Sequence, residues 1–154
     1  MALADYRTIS FVLMLLLAFG GQGSVRAAEI DWFVTNTTDD DDGRPIRTDA
    51  NVFNCSDQIY TMVSFSGLRE TTHVLIVDWI DPNGRQREHT VHNFRYFGNP
   101  ASIWAWLTLH PPRGAIALRL FNPSVGMREF IGTWTVRVTI DNQFLGRAKF
   151  EVLC

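Results

Sequence analysis

Three stretches of this chain carry residue types that could do chemistry, and in each the spacing decides what kind. The run Glu88-His89-Thr90-Val91-His92 holds two imidazoles and a carboxylate, groups that ligate zinc or move protons. It shares composition with the His-Glu-x-x-His helix signature but not its order. Histidines three apart meet on a helix and point to opposite faces on a strand. Two histidines without a third ligand make no zinc site, so the expectation is solvent-facing strand histidines, with no metal. A Gly-x-Ser-x-Gly nucleophile elbow is also missing from the chain. No catalytic residue and no cofactor are therefore expected, and the chain reads as a non-enzyme.

The second stretch is the run of four aspartates, Asp39 to Asp42. Counted from Thr38, the residues Asp40, Asp42, Gly43 and Asp49 fall at positions 3, 5, 6 and 12 of a calcium-binding loop. Thr38 replaces the usual first aspartate, and Asp49 stands where a bidentate glutamate is usual. Pro45 occupies a normally apolar, strand-like position, and no helices flank the run. A solvated acidic loop over residues 36–51 is the expectation.

The third stretch is aromatic. If Ile103, Ala105, Leu107 and Leu109 face a core, Trp104 and Trp106 share the opposite face of one strand, about 7 Å apart. Such a pair makes a flat platform for a sugar ring or for a partner's apolar surface. The competing reading has that face packed away, as large aromatics commonly are. Phe94, Tyr96 and Phe97 precede the pair, and Arg85, Arg87 and Arg95 lie near it in sequence. The candidate binding set is thus Trp104, Trp106, Tyr96, Arg85 and Arg87. Arg85, Arg87 and His89 together could hold an anionic group, although a charged strand at a sheet edge more often serves to block aggregation.

These groups need a scaffold, and the alternation of apolar and polar residues supplies one. Trp134, Val136, Val138 and Ile140 alternate with Thr133, Thr135, Arg137 and Thr139. Phe144, Ala148, Phe150 and Val152 then alternate with Leu145, Arg147, Lys149 and Glu151. Side chains of a strand alternate between faces, so each segment has one apolar face and one wet face. Asp141-Asn142 between them tolerates the positive φ of a tight hairpin. Further strands are predicted at residues 30–35, 58–66, 74–80, 85–94, 102–109 and 115–121, with Asp81-Pro82-Asn83-Gly84 as a strong turn. Eight short strands with frequent turn signals and no convincing helix make an all-β sandwich.

The order of these strands, with Trp79 as a core tryptophan on the third, favours an immunoglobulin-like antiparallel β-sandwich of about seven to eight strands. The closing segment from Gly132 to Val152 resembles the last hairpin of many extracytoplasmic immunoglobulin-like modules. In that topology the second strand leaves one end of the sandwich and the last strand returns to it. Cys55 precedes the one and Cys154 ends the other, so the two are expected to form a disulfide.

Residues 1–27 read as a secretory signal peptide ahead of a domain spanning 28–154. Arg7 sits in a short polar start, Phe11 to Phe19 form an uncharged apolar run, and Val25-Arg26-Ala27 offers a small residue for cleavage. The run is well short of the roughly 20 residues that span a bilayer. Export suits the cysteine pair, and places the mature chain in a periplasm or outside the cell. Without Asp5, Arg7 and Arg26 the mature chain has 12 basic and 15 acidic residues, a formal charge of −3. That near-neutral balance implies no attraction to nucleic acid. With 46% hydrophobic and 19% charged residues the chain can bury a real core. The functional expectation is an exported, non-enzymatic module that binds a protein partner or serves an envelope or extracellular assembly. The alternative is a carbohydrate-binding module using Trp104 and Trp106.

Overall fold

The computed structural model describes residues 28–110 and 127–154. The expected leader over 1–27 and the strand expected at 115–121 lie outside the described residues. Eight strands are present among those described: β1 (Glu29–Thr35), β2 (Val52–Asn54), β3 (Gln58–Ser66), β4 (Thr72–Ile80), β5 (Gln86–Arg95), β6 (Ala101–Thr108), β7 (Gly132–Ile140) and β8 (Gln143–Leu153). A 3-10 turn, Arg128–Phe130, leads into β7. No helix among the described residues is long and apolar enough to cross a membrane.

The strands form two sheets in an immunoglobulin-like sandwich. One has the order β1-β3-β6 and the other β2-β8-β7-β4-β5. The apolar face of each buries against the other. Val63 and Phe65 of β3 and Leu107 of β6 share one core with Val77 and Trp79 of β4, Trp134 and Val136 of β7, and Phe150 of β8. Trp134 stacks on Phe150 at 6.2 Å between ring centroids, and Trp79 meets the same phenyl edge-on at 6.3 Å. Burial of roughly 200 Å² per indole stabilises by about 5 kcal/mol each, an upper value for a compact unfolded chain.

The final hairpin turns where expected. Asp141 and Asn142 have φ of 49° and 65°, both positive, as a two-residue hairpin of the favoured twist requires. The alternation along β8 differs from expectation at its start. Val138 pairs with Gly146 but Thr139 pairs with Phe144, so Leu145 is an extra residue in β8. The bulge shifts the phase by one. Phe144 therefore points to solvent, and Leu145 packs against the core in its place. Gly146 leaves a notch that Trp32 of β1 fills; a Cβ there would lie 3.0 Å from the indole's Cζ2.

One feature corrects the wholly antiparallel expectation. β2 runs parallel to β8, with Val52, Phe53 and Asn54 opposite Glu151, Val152 and Leu153. Three residues are too short to show a period. The disulfide between Cys55 and Cys154 closes this end, with the Cα atoms 5.2 Å apart. Residues 36–51, expected as a solvated acidic loop, hold no strand and form an arm closed by local hydrogen bonds. Thr38 and Pro45 bridge, Asp39 N–H donates to the Arg44 carbonyl at 2.8 Å, and Ile46 N–H donates to that of Thr37 at 3.0 Å. The Asp39 and Asp42 carboxylates accept the N–H groups of Asp41 and Arg44 at 2.8 and 2.9 Å, a local turn chemistry typical of aspartate.

Candidate functional site

The strand register sets the outer face of the three-stranded sheet row by row. One row runs Asp31, Ser64, Ser102; the next Phe33, Met62, Trp104; the next Thr35, Tyr60, Trp106. This face is polar at one end and aromatic at the other. The arm covers its β1 side, where Arg47 pairs with Asp31 and lies over the Phe33 ring at 4.5 Å. Pro45 and Ile46 line a concavity together with Met62, an outward-facing methionine that is nonetheless buried. The β6 side stays open. Trp104 is 38% and Trp106 55% exposed, on one face of β6, while Ala105, Leu107 and Leu109 are buried beneath.

Two concavities flank this pair. A cleft of about 690 Å³ lies between the arm and β6, lined by Glu29, Asp31, Asp42, Arg44 and the Ser64 and Ser102 hydroxyls, with Trp104 as a wall. Arg44 donates to the Ser102 hydroxyl at 3.1 Å, and the Ser64 and Ser102 hydroxyls are 2.9 Å apart. A groove of about 460 Å³ separates β5 from β6, with Leu75, Val77 and Leu107 in its floor and Glu88, Thr90 and His92 along the β5 wall. Both indoles border it, so Trp104 belongs to both concavities.

The other candidates sit elsewhere. Tyr96 is in the core, its ring edge-on to Phe65 at 5.8 Å, and its hydroxyl accepts the Gly67 N–H at 3.0 Å. It does not reach the Trp104–Trp106 face, because β5 ends at Arg95 and the chain there turns inward under the β3–β4 connection. Arg85 and Arg87 are brought together, but around two carboxylates of this chain. Their Nε atoms lie 3.1 and 2.6 Å from Asp81 Oδ2, and their terminal nitrogens 3.1 and 2.5 Å from Glu129 Oε2. Burial alone would raise the pKa of Asp81, yet the Arg85 N–H and the Arg87 guanidinium outweigh it and hold the carboxyl below its ordinary value. Hydrogen bonding from Arg87 does the same for Glu129. The cluster braces the β4–β5 turn against the 3-10 turn before β7.

β5 is the outer strand of its sheet, as its charge suggests. His89 and His92 lie on opposite faces: His89 Nδ1 meets Asp78 Oδ1 at 2.6 Å, and His92 stacks on Phe94 at 6.3 Å along the inner face. Among the described residues no three His, Cys, Asp or Glu side chains are arranged to hold a metal. The sequence did not single out Glu29, Asp31, Arg44, Ser64 or Ser102. A signal existed in the alternating serines of β3, Ser64 and Ser66, but only register places them beside Trp104.

The fold and this face define an immunoglobulin-like sandwich with an open aromatic strand. No protein-family model matches the chain, and no curated protein matches its sequence. Among solved structures it is similar to a β-glucosidase from Listeria innocua in complex with laminaribiose, at 12% identity and a TM-score of 0.48, over 83% of this chain and 16% of that one. A β-glucosidase involved in saponin metabolism from intestinal bacteria is similar at 9% identity and a TM-score of 0.46, over 82% of this chain and 16% of that one. This chain thus spans about a sixth of the length of those enzymes, and similarity at that identity does not bear on its activity.

Proposed function

We propose that the chain is an exported, non-enzymatic immunoglobulin-like module that engages a protein partner of the envelope or extracellular space through the outer face of β6. The observation that carries this reading is the joint exposure of Trp104 and Trp106 on one strand face. Paired exposed indoles are the anchors that interfaces concentrate their binding energy on. The disulfide suits an oxidising compartment, and the apolar leader suits export to a periplasm or beyond. The test is crosslinking mass spectrometry on the native envelope and secreted fractions, with the mature chain and its Trp104→Ala/Trp106→Ala double variant as baits. A specific crosslinked partner is expected for the native chain and lost in the double variant at unchanged melting temperature. An identical crosslink map for both baits refutes the reading.

A second reading, a carbohydrate-binding module, is favoured by the mixed lining of the cleft beside Trp104. Carboxylates, hydroxyls and a guanidinium next to an indole are the groups that hold a sugar's hydroxyls and its C–H face. Its test is calorimetric titration with neutral oligosaccharides.

A further inference from the structure

The geometry points to a saccharide subsite in the cleft between the arm and β6, with a neutral, hydroxyl-rich ligand as its occupant; this inference rests on the carbohydrate reading above. The cleft has the volume of a small-ligand site. Its floor is a cross-strand row of hydroxyls, Ser64 opposite Ser102, extended by Asp31 opposite Ser64 and by Ser66 opposite Glu29. Trp104 stands one row further along the same face, where its ring can take the C–H face of a pyranose while the floor takes the hydroxyls.

Charge selects the ligand class. The carboxylates of Glu29, Asp31 and Asp42 line the cleft with the guanidinium of Arg44, and Arg47, outside the lining, is paired with Asp31. Three acids against two bases leave little net charge for an anion or a polycation to exploit. What the cleft does offer is acceptors and donors side by side. Carboxylates accept, the guanidinium of Arg44 donates and serine does both, which matches a ligand whose every hydroxyl is both donor and acceptor. The arm is part of the site, since its internal hydrogen bonds hold Asp42 and Arg44 over the floor.

Isothermal calorimetry with the mature chain tests this, using the linear hexasaccharides of glucose, xylose, mannose and N-acetylglucosamine, together with hexaarginine and hexaglutamate peptides. At least one hexasaccharide is expected to bind. Trp104→Ala is expected to weaken it about tenfold or more and Ser102→Ala about fivefold. Trp104→Tyr, which keeps a flat ring, is expected to recover most of the loss. Phe144→Ala, on the far sheet, is expected to bind as the native chain does. Melting curves establish that each variant is folded. A hexasaccharide that binds Trp104→Ala and Ser102→Ala as tightly as the native chain overturns the subsite and leaves the carbohydrate reading standing. Binding by none of the four sugars, or by the charged peptides alone, overturns both.

Discussion

Nδ1 of His73 stands 2.6 Å from Oδ2 of Asp141, across the sheet end where the β7–β8 turn meets the start of β4. Nε2 of the same ring stands 2.8 Å from the carbonyl oxygen of Arg69. Both neighbours are acceptors, so only the imidazolium, with two N–H groups, satisfies both. The second Asp141 oxygen accepts the Val74 N–H at 2.9 Å. The ring is buried, with Phe94 of β5 packed at 5.5 Å. In its protonated form the buried ring pins three chain segments together.

This pin makes stability depend on pH in two directions. Burial alone would lower the pKa of His73, but the Arg69 carbonyl and the Asp141 carboxylate reverse this and raise it above 6.5. Its contribution is complete below 6.5 and fades as pH rises through the raised value. Burial would raise Asp141, but His73 and the Val74 N–H hold it below 3.8, so its contribution is complete above 3.8 and fades as pH falls through the lowered value. Between those limits, the melting temperature of His73→Gln should fall furthest below that of the native chain. The gap should narrow as pH rises through the raised His73 value, as calorimetric scans across pH would record.

The Asp81 brace makes a prediction by position. Its carboxyl group is fully enclosed and accepts the N–H groups of Asn83 and Arg85, both at 2.9 Å, besides the two guanidinium groups. Asp81→Ala leaves those donors without their acceptor and should cost about 2–4 kcal/mol in urea unfolding. Glu129→Gln, on the exposed side of the same cluster, should cost much less.

The disulfide encloses a segment with a sequence separation of 99. On the chain-entropy account, opening a loop of that size removes about 4.7 kcal/mol, and often less in practice. Cys55→Ser/Cys154→Ser should therefore melt well below the native chain. Added reductant should lower the native melting temperature towards that of the variant and leave the variant unmoved.

Gly146 should tolerate little. Gly146→Val places branched carbons where Trp32 lies, 3.0 Å from the position of a first Cβ. Displacing the indole should cost about 1–3 kcal/mol and move tryptophan emission to longer wavelength.

Much of this fold was legible in the sequence because its strands alternate cleanly. The span Gln58–Ser66, the turn at Asp141-Asn142, the outer position of β5 and the cysteine pair all follow from local pattern or chain order. What was illegible has a physical cause in each case. β2 has three residues, and its partner lies far along the chain. The bulge at Leu145 breaks a period that looked unbroken. Polar residues 36–51 make no hydrophobic pattern, although Asx turns and Pro45 order them. The indoles of Trp104 and Trp106 were found by alternation, but whether anything covered them depended on the arm. Ser64, Ser102, Glu29 and Arg44 are individually ordinary surface residues, and only cross-strand register gathers them.

The bond that joins Cys55 to Cys154 also sets how the domain carries load. Tension between the amino-terminal side and the carboxyl end passes straight through the sulfur bridge, so β3 to β8 are bypassed. Of the described elements, only β1, the arm and β2 lie outside that short circuit. β2, parallel to β8, resists by shear along its bonds instead of peeling one bond at a time. Stretched in a single-molecule trap, the oxidised domain would lengthen by that small leading section at about 3.4 Å per residue and then stop.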